Sequence, residues 1–194
     1  SDKNNSTSSM FQADIDYILN EVQENTGDNP YTTPMKIYST IDPNAQSALY
    51  SLENGDIYKF PNDYLQEGIA ITSVENGSIV ALSGGRNYQA KGTNRATGIS
   101  RQPGSTAKII FDYGPYIEYL NGSTYSPFLD EPTTYSNGTS IKNADGTYYG
   151  LLTMRKALMN SRNIPALRAF KQVEAKDITL IENFAHSLGI NYGD

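Results

Sequence analysis

The sequence predicts an α+β protein of mixed helices and antiparallel strands, and three observations predict it. Apolar residues recur at helical spacing in several separate segments, first at Ile15, Ile18, Leu19 and Val22. Two β-prone runs, IAITSVE and SIVALSGG within residues 69–85, flank Asn76-Gly77, the pair favoured in a type I′ hairpin turn. The chain has 194 residues, of which 38% are apolar and 19% charged, enough to bury a core and too little charged for disorder.

Each element follows from local chemistry. Residues 1–10 are polar and rich in Ser, Asn and Asp, which predicts a frayed terminus. A helix of about three turns is predicted from Asp14 to Asn25, with Gly27 placed for a left-handed cap. Met35 to Ile41 (MKIYSTI) is β-branched and aromatic, so it reads as a strand. Asp42-Pro43 then opens a second helix with Ala45, Ala48 and Leu49 on one face and Gly55 near its end. After the hairpin, Arg86 to Gly104 lacks apolar periodicity and reads as a loop leading into a helix over Ser105 to Tyr113, which Gly114-Pro115 should kink or break.

Residues 121–150 form a polar excursion rich in Gly, Asn and Tyr, predicted as loop with short strands around Asp145-Gly146. Helices are predicted at Leu152 to Met159, with Thr153 as a cap, at Pro165 to Val173 and at Ile178 to Leu188. The 15 tyrosines fit a glycan groove or plain strand propensity equally well.

Composition narrows the chemistry. The net charge is −6, and the 15 Lys and Arg residues are scattered, which argues against nucleic acid as a partner. No stretch approaches the roughly 20 apolar residues of a spanning helix, and no signal-peptide pattern opens the chain, so it reads as soluble and untargeted as given. Cysteine is absent, which removes thiol nucleophiles, disulfides and Cys-based zinc sites. His186 is the only histidine and sits in an amphipathic run with Ile181, Phe184 and Leu188, where a partly buried or surface role fits better than a triad. Covalent chemistry here needs a base other than histidine.

Ser105-Thr106-Ala107-Lys108 supplies one. A Ser-x-x-Lys spacing on a helix puts both side chains on one face, one turn apart. A serine hydroxyl becomes nucleophilic only when a neighbour takes its proton, and a lysine can take it once burial or a nearby cation lowers its proton affinity. Gly104 suits a tight entry that leaves the hydroxyl at a helix N-terminus. Alone the motif is weak, because about one chance match is expected in a chain of this size. Ser161-Arg162-Asn163, a Ser-x-Asn element closed off by Ile164-Pro165, pairs with it as in penicillin-binding proteins and class A β-lactamases. Arg162 itself reads as structural or solvent-facing, and Asp130-Glu131 as a solvated turn before Pro132.

The surroundings carry a family resemblance. ALSGGR at 81–86, NRA at 94–96, RQPGSTAK at 101–108, DEP at 130–132 and ALMNSRNIPA at 157–166 are similar to class A penicillin-binding proteins, the bifunctional peptidoglycan synthases. The stretch from Tyr31-Thr32-Thr33 through Thr40-Ile41-Asp42-Pro43 resembles their connector between glycosyltransferase and transpeptidase domains, of a Gram-positive kind. The resemblance covers residue 14 to the end and implies a β-lactamase/transpeptidase-like fold, an antiparallel sheet flanked by helices.

It also implies an activity: serine-type D-Ala-D-Ala transpeptidase or carboxypeptidase chemistry on peptidoglycan stem peptides, inhibited by β-lactam antibiotics, with no cofactor and no metal. Ser105 would attack the penultimate D-alanine carbonyl and Lys108 would take its proton. Ser161 would relay a proton to the leaving D-alanine, Asn163 would bind the substrate amide, and the Ser105 N–H would form half of an oxyanion hole. The parent protein would be membrane-anchored with this domain on the extracytoplasmic face.

Two departures stand out: Ile109 follows Lys108 where the family usually has Pro, and no Lys-Thr-Gly or Lys-Ser-Gly occurs, since Lys91-Gly92-Thr93 has the wrong order and lies upstream. The organisation then reads as an N-terminal tail and helix (1–31), an interdomain connector (32–66) and the N-terminal portion of a transpeptidase domain (67–194), inactive alone and completed by its C-terminal remainder as a second chain or further segment. Unpaired sheet edges would recruit that remainder. A serine β-lactamase and a non-catalytic penicillin-binding sensor are the alternatives.

Overall fold

The computed structural model describes residues 10–191, so most of the predicted frayed terminus lies outside the described residues. The chain divides into two compact units, Ser1–Arg101 and Gln102–Asp194.

The first unit holds two helices and a hairpin. Helix α1 (Gln12–Thr26) ends as the sequence predicts: Gly27 takes a left-handed φ of 77° and its N–H donates to the Gln23 carbonyl. Helix α2 (Pro43–Glu53) starts on Asp42, whose carboxylate accepts from the N–H groups of Asn44 at 2.7 Å and Ala45 at 3.2 Å. Strands β1 (Ile69–Thr72) and β2 (Ile79–Ser83) pair antiparallel, with a register shift between Ile71 and Thr72.

Three local predictions are corrected here. The inward face of α2 is Gln46 and Leu49, while Ala48 is exposed. Met35 to Ile41 forms no strand; the Thr40 hydroxyl donates to the Ile79 carbonyl, and the Asp42 N–H just after the segment donates to the Val80 carbonyl at 2.8 Å. The reason lies in Gln46, 1% exposed, whose carboxamide accepts from the Leu82 N–H at 2.9 Å and donates to the Leu82 carbonyl at 3.0 Å. A helix side chain thus fills the edge position that a third strand would need. The hairpin turn is wider than type I′, which demands φ above zero at both central residues. Gly77 satisfies this at 75° and Asn76 does not; its carboxamide instead accepts from the Ser78 N–H and hydroxyl.

The GGR element is structural. A Cβ on Gly84 would fall 2.6 Å from the Tyr88 ring, and Arg86 donates to the carbonyls of Glu53, Asn62 and Leu65 while lying 4.3 Å over the Phe60 ring. Three carboxyl groups gather near the end of β2. Asp14 is 2% exposed, with neither oxygen reaching a donor beyond its own backbone, and Glu53 and Glu67 both lie by Ser83.

The second unit begins with a 3-10 turn (Gly104–Thr106), a π-helix (Lys108–Tyr113) and helix α3 (Gly114–Leu120) in one continuous run. The predicted break at Gly114-Pro115 does not occur. The Gly114 N–H reaches back to the Ile109 carbonyl, five residues away, and the wider winding brings Pro115 to the start of α3, where its missing N–H goes unneeded. Gly114 has no room for a side chain, since a Cβ would fall 2.6 Å from the Phe184 ring.

Strands β3 (Pro127–Asp130) and β6 (Gly150–Thr153) pair antiparallel, as do the short β4 (Thr133–Thr134) and β5 (Ser140–Ile141). Asp145-Gly146 is a turn between β5 and β6, in line with the loop and flanking short strands expected there. Helix α4 (Met154–Met159) starts two residues later than predicted because Leu152 and Thr153 belong to β6, and Thr153 caps it through the Lys156 N–H. Helices α5 (Asn163–Lys176) and α6 (Thr179–Ser187) follow, with His186 exposed on α6. Tyr113, Phe128, Leu152, Met154, Ala157, Ala166 and Ala169 form the core of this unit, with Tyr116 packed edge-on to Phe128 at 5.1 Å.

The α+β class holds: helices accompany small antiparallel sheets, here three of two strands each among the described residues.

Candidate active site

The two sequence motifs converge in the second unit. Gly104, with φ of 56°, turns the chain into the 3-10 segment that carries Ser105 with its side chain exposed. Lys108 is the first residue of the π-helix and is 8% exposed. Its amine lies 3.3 Å from Ser105 Oγ, 3.0 Å from Ser161 Oγ, 2.6 Å from the Ser161 carbonyl oxygen and 2.7 Å from Asn163 Oδ1. Three residues, one 3 positions and two 53 and 55 positions from Lys108, therefore supply four oxygens around one nitrogen.

The chemical character of these four oxygens matters. Two are carbonyl oxygens, which can only accept, and two are hydroxyls, which can accept or donate. Asn163 is fixed in this orientation because its Nδ2 donates to the Lys142 carbonyl at 2.8 Å. A neutral amine has two N–H groups and one lone pair. Its N–H groups can go to the two carbonyl oxygens, which leaves the lone pair for a hydroxyl proton. The ammonium form is also accommodated, with its third N–H on a hydroxyl. Burial holds Lys108 below the usual lysine range, the negative charge of Asp112 opposes that shift, and the Arg162 cation adds to it.

Ser161 is held at some conformational cost. Its N–H donates to the Leu158 carbonyl and the Arg162 N–H to the Ala157 carbonyl, each at 2.9 Å, closing α4 in a Schellman arrangement. Ser161 occupies the left-handed position at φ of 49°, where glycine is the usual residue, and a side chain there costs about 1–2 kcal/mol. The strained position turns both its hydroxyl and its carbonyl toward Lys108.

Beneath the motif lies a polar cluster that sequence reading missed. Arg162 is 2% exposed, so it faces the interior and not solvent. Its Nε donates to Asp130 at 2.8 Å, its Nη1 to Asp145 at 2.8 Å and its Nη2 to the Thr147 carbonyl, and its plane lies 3.9 Å over the Tyr149 ring. Asp130 is 0% exposed, which corrects the solvated turn expected at Asp130-Glu131. It also accepts from Asn143 Nδ2 at 2.8 Å and from the Tyr149 N–H at 3.1 Å. Asn143 Oδ1 in turn accepts from the Asn163 N–H at 2.8 Å.

The residues on either side of Arg162 are therefore anchored from below. Asp145 is held down to about 2 by the Thr147 backbone N–H and by Arg162. No local signal marks Asp130 or Asn143, because their partners are 32 and 20 residues away.

Comparison with known proteins agrees with the motifs. Residues 68–191 match the penicillin binding protein transpeptidase domain. Penicillin-binding protein 1A/1B of Bacillus subtilis (strain 168) is 40% identical over 184 residues, which are 95% of this chain and 20% of that protein. Penicillin-binding protein 1A of Streptococcus pneumoniae (strain ATCC BAA-255 / R6) is 37% identical over 181 residues, 90% of this chain and 25% of that protein. The chain thus spans a fifth to a quarter of the length of these relatives. Among solved structures, the penicillin-binding protein PonA1 from Mycobacterium tuberculosis superposes with a TM-score of 0.74 at 23% identity, covering 91% of this chain and 45% of that one. The same protein in complex with penicillin V gives 0.75, again at 23% identity, over 91% and 46%. At that identity the superposition shows a shared fold.

Proposed function

This chain belongs to the penicillin-binding protein transpeptidase domain family, and from that premise we propose that it carries the acylating half of a peptidoglycan DD-transpeptidase site, with Ser105 as nucleophile and Lys108 as its base. The observation that carries the reading is the set of four oxygens around the Lys108 amine, two of them serine hydroxyls. Two carbonyl oxygens hold the N–H groups, and the remaining lone pair faces hydroxyl protons.

The steps follow from that arrangement. The Ser105 proton passes to Lys108 as Oγ attacks the penultimate D-alanine carbonyl of a stem peptide. The Ser105 N–H stabilises the oxyanion that forms only then. Lys108 and Ser161, 3.0 Å apart, return the proton to the departing D-alanine nitrogen, and a stem-peptide amine then displaces the ester. Asn163 contacts the substrate amide through the second N–H of Nδ2, since Oδ1 is engaged by Lys108 and the first N–H by Lys142.

The partners follow from the same premise: peptidoglycan stem peptides, β-lactams as substrate mimics, and the C-terminal strands bearing Lys-Thr-Gly, joined to this portion or supplied by another chain. In this scheme residues 1–31 are tail and helix, 32–66 connector and 67–194 the N-terminal portion of the domain, a division supported by a family match that begins at residue 68. The site works on the extracytoplasmic face of a membrane to which the parent protein is anchored. Among the described residues no helix is long and apolar enough to cross a membrane.

The test is covalent labelling of the completed domain with a fluorescent penicillin. Ser105→Ala should abolish the adduct, and Lys108→Met should slow its formation by at least about 100-fold, the scale of a lost general base. Undiminished labelling of Ser105→Ala would rule the assignment out, and rapid turnover of the adduct would point to a β-lactamase.

A further inference from the structure

The mechanism leaves one half-buried carboxyl beside the base unused. Asp112 follows Lys108 by four residues in the same helical run, a spacing that puts both on one face. Both line a cavity of about 370 Å³, together with Asn163 on α5, Tyr135 after β4 and Lys142 after β5. Unlike Asp130, Asp112 is not tied into the Arg162 cluster.

We propose that Asp112 is a positioning residue that acts through its charge across this cavity and so sets the pH at which Lys108 becomes a free base. The inference rests on the reading of Lys108 as the base.

The electrostatics supply the argument. Asp112 is the anion that favours the charged form of Lys108, while burial and Arg162 oppose it. Burial pushes Asp112 itself up to about 7, with Lys108 pulling it back. The Lys108 amine is directed at Ser161, Asn163 and Ser105, so Asp112 acts on it through its field across the cavity and not as a proton acceptor.

Other charged groups around the pair are accounted for. Lys142 lies on the cavity wall, Arg162 is already neutralised by Asp130 and Asp145, and Tyr113, next in sequence, feels both Asp112 and Asp130. Helix α6 presents Phe184 to the same helical run at Gly114. Asp112 is thus the anion in the position to stabilise a charged Lys108 from the cavity side.

The experiment measures Lys108 directly. In the completed protein, pH-dependent acetylation of Lys108 is read by mass spectrometry of its peptide, with the exposed Lys171 as internal standard. Asp112→Asn should lower the Lys108 midpoint by about one pH unit and move the acid limb of penicillin labelling the same way. Asp112→Glu, which keeps the charge, should restore the midpoint, and thermal melts check that each variant is folded. An unmoved midpoint in folded Asp112→Asn overturns the proposal, as does a Glu variant whose midpoint falls as far as that of Asn. Acetylation reports on Lys108 whether or not Ser105 is acylated. A shifted midpoint in a protein that takes no penicillin therefore fails the functional reading alone, and an unmoved one in a protein that labels normally fails this inference alone.

Discussion

Asp130 in the second unit and Asp14 in the first are both withdrawn from water, at 0% and 2% exposure, and they meet opposite surroundings. Asp130 receives three donors: Arg162 Nε, Asn143 Nδ2 and the Tyr149 N–H. Asp14 receives none beyond its own backbone and lies close to the like charge of Glu53. Burial therefore lifts Asp14 to about 7, so it gives up its charge near neutral pH. The difference teaches that a buried carboxyl holds a structure in place only when its donors come with it; otherwise it becomes a pH-dependent weakness.

Removing the donors should convert the first case into something worse than the second. Arg162→Met leaves Asp130 buried without its cation, and breaking such a pair costs about 3–5 kcal/mol. Denaturant unfolding of the completed protein should show that loss, together with slowed penicillin labelling as Ser161 and Asn163 lose their anchor. A loss below about 1 kcal/mol would mean that Asn143 and Tyr149 suffice for Asp130.

The second case predicts a pH effect with a definite sign. The folded value of Asp14 lies above its ordinary value of 3.8, so the folded state binds the proton more tightly. The associated stability is fully present below about pH 4, falls as pH rises toward 7 and is gone above it, a change of up to about 4 kcal/mol. Asp14→Asn should flatten that fall in melts recorded from pH 4 to 8. Glu53, raised to about 7 for the same reason, leaves a residual slope of the same sign.

Smaller effects sharpen the contrast between structure and chemistry. Ser161→Gly should stabilise the protein by about 1 kcal/mol, because glycine adopts the left-handed backbone without penalty, while penicillin labelling falls sharply. A variant that is both more stable and fully active would deny Ser161 any part in the chemistry. Asp42→Ala removes a helix cap and should cost about 1 kcal/mol with labelling unchanged.

The candidate site was legible in outline because its motifs are local. Ser105 and Lys108 are three residues apart, and helical spacing alone brings them together. The surrounding RQPG and SRNIPA segments tied Ser161 and Asn163 to the same chemistry. Asp130 was misread and Arg162 left open between a structural and a solvent-facing role, because each looks like a surface charge in isolation and only a partner 32 positions away makes burial tolerable. The strand expected at Met35 to Ile41 failed for a similar reason: its β-prone composition is real, but Gln46 of α2 had already claimed the Leu82 backbone.

By itself the sequence determined what short-range chemistry controls: the caps at Gly27, Asp42 and Thr153, the hairpin about Asn76-Gly77, and a serine and lysine one helical turn apart. Tertiary structure decided which groups share a cavity or a buried charge, and where a helix must rewind to pass Gly114-Pro115. Propensity and spacing act over a few residues, whereas burial and Coulombic pairing depend on neighbours that only the folded chain supplies.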